Sequence, residues 1–209
     1  MDGYTQFTKE DLESISPQDA LLLLKKGNER FVNDNPLNRN WYEEVKGVLH
    51  EQNPFATILS CMDSRVPPQL IFDQGLGDIF INRIAGNILN DDILGSMEFA
   101  CNMVGSKVIL ILGHTECGAI KGAIDKVRLG NLTGLLNKIE PVIDSLNYNG
   151  ERTSEDCNFV DLVTHENVKF VMNEIKERSS ILSKLVKDEK LMIDGRIYNV
   201  STGEVNFYE

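Results

Sequence analysis

Three short runs most constrain what this chain can fold into: FATILSC at 55–61, DIFINRI at 78–84 and KVILILGH at 107–114. Each is nearly continuous in apolar, largely β-branched residues. A strand with one wet face alternates; strands apolar throughout are buried on both faces, as in a parallel sheet covered by helices. The intervening segments fit that reading. NDDILGSMEFACNMVG carries Ile93, Met97, Ala100, Cys101 and Val104 at helical spacing, with Gly105 as its stop. CGAIKGAIDKV reads as a helix, and NLTGLLNKIEPVIDSL as another that Pro141 kinks or divides. A long helical stretch from about Asp161 to Lys187 places Val168, Val171, Ile175, Leu182 and Val186 on one side. LMIDGRIYNV and VNFYE, joined by the turn STGE, are expected to close the chain as strands.

Upstream of the sheet, SPQDALLLLKKGNERF predicts a first helix. Ser16 caps it, Pro17 suits its first position, Asp19 meets the positive end of the dipole, and Ala20, Leu23, Leu24 and Phe31 form one stripe. The segment from there to His50 is more polar and reads as an arm. The expected class is therefore α/β: a mostly parallel central sheet flanked by helices, with an N-terminal helical arm. One domain spans 1–209, with the arm over 1–50 and the core over 51–209.

Net charge is −11, which argues against a nucleic acid or an anionic membrane surface as partner, since both require a basic face. The N-terminus MDGYTQFTKEDLES has no apolar h-region, and no run approaches the length of a membrane span, so a cytoplasmic location is expected. Four scattered cysteines, Cys61, Cys101, Cys117 and Cys157, do not make a disulfide scaffold.

Ligands of open α/β sheets collect at the carboxyl ends of the strands. Cys61 ends one apolar run and His114 another, and Cys117 follows three residues later, where the next helix opens. Thiolates and imidazole are the favoured ligands of zinc, and three protein ligands leave a fourth position for water or substrate. The plain alternative is two buried cysteines behaving as small hydrophobes beside a core histidine. Asp63 and Arg65 share parity with Cys61 if the extended run continues. A bidentate Arg–carboxylate pair would lock the carboxylate, although a structural ion pair at a strand end remains the bland reading. Two thiolates neutralise a zinc ion, so such a site needs help from its surroundings, and Asp63 is the obvious source. Asp63 could also swing onto the metal if Arg65 let go.

CMDSR at 61–65 followed by GHTECG at 113–118 resembles the β-class carbonic anhydrases, and the resemblance runs through nearly the whole chain. It implies one zinc per chain, held by Cys61, His114 and Cys117, and reversible hydration of carbon dioxide to bicarbonate and a proton. The attack by zinc-bound hydroxide would be oriented by the Asp63–Arg65 dyad, and Asp63 would also be able to close the zinc as a fourth ligand. Substrate-binding positions by the same resemblance are Gln52, from the neighbouring subunit, Phe80 and Ala85 as apolar wall, and the Gly118 amide. Phe99 stands where many members carry a tyrosine. Arg83 matches the arginine of a second, inhibitory bicarbonate site found in one branch. Ile58 replaces that site's tryptophan, which favours the constitutively open branch. The family implies a dimer or dimer of dimers, with the arm packing on a partner subunit.

Other readings stay open. The same scaffold could hydrolyse a carbon dioxide analogue such as carbon disulfide. A non-catalytic zinc or thiol module would be indifferent to Asp63. A thiol redox enzyme would want a CxxC pair, and the chain has none. Cys101 and Cys157 read as structural, and His50 and His165 as surface histidines. The glycines around His114 fit neither nucleotide-binding fingerprint.

Overall fold

The computed structural model describes residues 7–207. In chain order it comprises α1 (Lys9–Ser14), α2 (Pro17–Val32), α3 (Trp41–Gly47), β1 (Ala56–Ser60), α4 (Pro68–Ile71), β2 (Ile79–Arg83), a 3₁₀ turn (Ala85–Asn87) and α5 (Asp91–Glu98). A π-helical turn (Phe99–Val104) then leads into β3 (Val108–His114), α6 (Gly118–Ile124), α7 (Gly130–Leu136), α8 (Glu140–Ser145), α9 (Cys157–Arg178), α10 (Ser180–Lys187) and β4 (Met192–Tyr198). The sheet order is β2-β1-β3-β4, and all three pairings are parallel.

Every residue of β1 and β3 is buried, as their unbroken apolarity predicts. Alternate residues serve opposite faces. Leu59, Ile109 and Ile111 pack under Met97 of α5 and Val168, Val171 and Ile175 of α9. Ile58 and Leu110 pack with Leu12 of α1, Ala20 and Leu24 of α2 and Phe72. A third cluster, of Ile120, Ile139, Phe159 and Val163, lies beneath Cys61 and Cys117 at the carboxyl rim.

Several expectations need correction. The 1–50 arm is divided: α2 is part of the chain's own core through Ala20 and Leu24, while Phe31, expected on its apolar stripe, is exposed. Its capping box between Ser16 and Asp19 forms as the sequence dictates. The part that does project an apolar face is α3 and its exit, where Trp41, Tyr42, Val45 and Leu49 are exposed. The long C-terminal helix starts earlier than expected, at Cys157 behind the Asp156 cap, and breaks at Ser179, whose side chain caps α10. The closing pair of strands is one strand only. β4 lies parallel beside β3, and VNFYE contributes a single antiparallel bridge, Tyr198 to Val205, with Tyr208 and Glu209 outside the described residues. As expected of a proline there, the NLTGLLNKIEPVIDSL segment is divided, into α7 and α8, and Pro141 sits in the first turn of α8, where its ring is tolerated. Among the described residues, no helix is long and apolar enough to cross a membrane.

Candidate metal centre

Register builds the site. Ser60 pairs with Leu112 of β3 and Arg83 of β2, so the next residue, Cys61, emerges beside Gly113 and His114. The chain then turns at Glu116, which sits in left-handed backbone at φ 57°, and Cys117 returns to the rim as the N-cap of α6. A non-glycine residue in that conformation persists only where its surroundings over-determine it. The result is a cluster of Cys61, His114 and Cys117, all buried, with ligand atoms within 4.8 Å of one another.

The donor set fits a tetrahedral zinc ion. The two sulfurs are 3.9 Å apart, against about 3.8 Å for two zinc–sulfur bonds at the tetrahedral angle. His114 Nδ1 lies 2.8 Å from the carbonyl of Thr115 and donates to it, which leaves Nε2 as the lone-pair nitrogen. That Nε2 is buried and has no hydrogen-bond partner. The contact between the two sulfurs pulls the Cys61 pKa down, opposed by burial, and pushes that of Cys117 up, joined by burial. A divalent cation between the sulfurs removes that conflict.

Beside the cluster, Asp63 Oδ2 lies 4.0 Å from His114 Nε2. Arg65 forks the carboxylate: Nε donates to Oδ1 at 3.0 Å, Nη2 to Oδ2 at 2.7 Å, and the Arg65 backbone N–H to Oδ1 at 2.9 Å. The side-chain hydrogen bond from Arg65 is the main reason the Asp63 pKa is lowered to about 2. Arg65 is itself anchored by the Glu116 carbonyl, 3.2 Å from Nη2. The pair meets by a different route from the one expected. The extended run ends at Cys61, and a turn closed by Val66 N–H on the Asp63 carbonyl brings the side chains together.

The other expected residues fall in two places. Ala85 stands in the 3₁₀ turn next to Gly86, whose N–H donates to Cys61 Sγ at 3.4 Å, and Gly118 opens α6 beside Cys117, exposed. Gln52 and Phe80 are not brought to this chain's own cluster. Gln52 precedes β1, at the opposite rim of the sheet, roughly 16 Å back along the strand. Phe80 pairs with Thr57, about 13 Å short of Cys61. It packs on Phe99, with ring centroids 6.3 Å apart, and the two line a cleft of about 540 Å³ on the flank of β2.

Two contacts have no signal in the motifs. Arg83 donates to the Cys61 carbonyl at 3.0 Å and to the Asp63 carbonyl at 2.5 Å, so its guanidinium grips the loop that carries the dyad. Ile58 is fully buried in the sheet core. Gly86 could have been suspected only from its place one residue beyond Ala85.

The fold and cluster define an open α/β protein with a Cys–His–Cys group able to hold a metal ion at the carboxyl ends of its parallel strands. A family profile described as carbonic anhydrase matches residues 56–205. Carbonic anhydrase 2 of Mycobacterium tuberculosis is 35% identical over 197 residues, covering 92% of this chain and 93% of the relative. The carbonic anhydrase of Mycolicibacterium smegmatis is 31% identical, with 93% and 94% covered. Among solved structures, the β-carbonic anhydrase CafA of Aspergillus fumigatus superposes with a TM-score of 0.69 at 24% identity, covering 90% of this chain and 88% of that one. The Coccomyxa β-carbonic anhydrase, solved with acetazolamide, gives 0.69 at 23%, with 92% and 86% covered. The chain belongs to the carbonic anhydrase family, in its β class. The general reaction of that family is the hydration of carbon dioxide.

Proposed function

We propose that this chain hydrates carbon dioxide reversibly at a zinc ion held by Cys61, His114 and Cys117, with Asp63 and Arg65 aligning the attacking water. The observation that carries the reading is the Arg65 fork on Asp63, set 4.0 Å from a buried His114 Nε2 that has no hydrogen-bond partner. When bound, zinc supplies the Lewis acidity that makes water a nucleophile near neutral pH. Asp63, ionised, would accept a hydrogen bond from a nucleophilic water at this rim and so orient its lone pair toward the substrate. Arg65 holds the carboxylate in that orientation through its two donations. Two thiolates leave the metal with little net charge, so the orientation of the nucleophile carries more of the catalysis than in an all-imidazole site.

Ala85 and the Gly118 amide belong to the substrate side of the rim. Gln52 and Phe80, remote from their own chain's cluster, are read as serving the centre of a second copy, which makes the enzyme a dimer or dimer of dimers. The exposed Trp41, Tyr42, Val45 and Leu49 on the arm support an association of that kind. With Ile58 in the core and Arg83 engaged on two carbonyls, a second bicarbonate site is not part of this reading. Four free cysteines support a cytoplasmic location.

Stopped-flow carbon dioxide hydration by the zinc-loaded protein, run across a pH series, tests the proposal. Rapid hydration already present near neutral pH supports the open dyad. Activity confined to alkali would place Asp63 on the metal and refute the open form. Zinc-loaded protein inactive at every pH would overturn the proposal and leave the carbon disulfide hydrolase or the non-catalytic module.

A further inference from the structure

Asn167 sits in the middle of α9, on the buried stripe formed by Val160, Val163, Thr164, Val168 and Val171. It is 1% exposed. A leucine here would bring no polar atoms of its own into the core. The amide does one specific thing: Nδ2 donates to the carbonyl of Gly86 at 3.0 Å, across 81 residues of sequence. The opposite amide orientation would set an oxygen against that carbonyl, so the donor role is forced by its partner. Oδ1 accepts no hydrogen bond among the described residues, so the side chain is held in the core by this one donation.

Gly86 is not an ordinary turn residue. Its φ of +67° is left-handed, and a Cβ there would lie 2.8 Å from Ile139 Cδ1. Asn87 follows with φ 42°, so two successive residues hold an uncommon backbone. The N–H of Gly86 donates to Cys61 Sγ at 3.4 Å. One residue therefore has its carbonyl fixed by α9 and its amide aimed at a metal-ligating sulfur.

We propose that Asn167 is a positioning residue for the metal centre: by holding the Gly86 carbonyl, it keeps the Gly86 amide on the Cys61 thiolate. An N–H donor withdraws charge from the sulfur. With less charge on the sulfur, a metal held between the two cysteines would stay more electrophilic. In a site whose two thiolates neutralise the zinc charge, this is the form of help the metal needs. The inference rests on the zinc reading above.

The test uses the full-length, zinc-loaded protein and two variants. Asn167→Leu keeps the branching at Cγ and removes the donor; Asn167→Gln keeps an amide and, like leucine, adds bulk. The readouts are zinc transfer to a competing chromophoric chelator and the thiolate-to-cobalt charge-transfer band of the cobalt(II)-substituted protein. Asn167→Leu is expected to fold, to hold zinc about 10–100-fold more weakly, and to shift the charge-transfer band. Asn167→Gln is expected to lie nearer the parent in both. A folded Asn167→Leu with parental zinc retention and an unshifted band would overturn the proposal. So would an Asn167→Gln no better than the leucine variant, because bulk and not the donor would then be at stake. Failure of both variants to fold would make Asn167 a folding residue and equally overturn it. If the parent protein itself takes up no zinc, the underlying reading falls, and this is distinguished from a zinc-binding parent whose variants match it.

Discussion

Arg65→Lys separates orientation from charge at the dyad. Arg65 makes three side-chain donations: two to Asp63, at 3.0 and 2.7 Å, and one to the Glu116 carbonyl at 3.2 Å. A lysine ammonium keeps the positive charge but is a point donor on a flexible stem, so the planar fork is lost. The stability cost is small. The Arg65 side chain is 51% exposed, and exposed ion pairs contribute about 0.2–1 kcal/mol. For a chain of this length that is a shift of roughly 4 °C at most in Tm. Protonation of Asp63 cannot explain a loss of activity either. Its pKa is lowered to about 2 by Arg65, and losing that partner returns it upward toward the ordinary 3.8; on either side it is ionised at pH 7. What remains is misalignment, and a displacement of about 1 Å costs about 100-fold in rate. That corresponds to about 2.7 kcal/mol of transition-state stabilisation, several times the stability term. The assay pairs stopped-flow hydration with calorimetric unfolding and zinc content on the same preparation. A kcat reduced about 100-fold, with zinc and Tm near the parent, is expected. Full activity in Arg65→Lys would refute the argument from the fork, and a rate falling only in step with zinc loss would refute the role in alignment.

Stripping zinc with a chelator should lower Tm by roughly 8–16 °C if zinc stood at about a thousandfold over its Kd, since such binding contributes about 4.1 kcal/mol; an unchanged Tm after proven metal removal would contradict a folded-state site. Thiol alkylation of the zinc-loaded protein should modify Cys157, which is exposed, and spare Cys101, whose pKa burial pushes up to about 12; comparable rates at both would show the packing around Cys101 to be wrong. Gly27→Ala should destabilise the fold by about 1–3 kcal/mol or more, even though alanine favours a helix by about 1 kcal/mol over glycine. Its Cβ would lie 1.8 Å from the Phe72 carbonyl, where α2 meets the chain just after α4. A raised urea midpoint in that variant would mean that α2 does not dock as described.

Much of the fold was legible because its signals are local. β1, β2 and β3 lie within the apolar runs that predicted them, and Ser16–Asp19 caps α2 through residues three apart. Misses occurred where a distant contact overrode local chemistry. Phe31 has the right helical spacing for burial but is exposed in the last turn of α2, where it lines a surface cleft with Leu37, Trp41 and Leu70. Ser179 breaks the long helix because its hydroxyl caps α10 and also reaches Glu98, 81 residues away. VNFYE has strand composition, yet only Val205 finds a bridging partner in Tyr198.

The sequence by itself determined the family and the candidate site residues. Two cysteines, a histidine and an Asp-x-Arg pair are residue types suited to a zinc site and to holding a carboxylate beside it, and apolar runs ending at them place them at a sheet's rim. Only the tertiary structure decided how they meet. The register of β1 against β3 puts Cys61 beside His114, a turn in place of an extended run joins Asp63 to Arg65, and Arg83 and Asn167 reach in from other elements to fix the backbone around them. The Arg83 and Asn167 contacts are hydrogen bonds between groups far apart in the chain. Their partners are backbone carbonyls, and a carbonyl has no residue type by which a sequence could announce it.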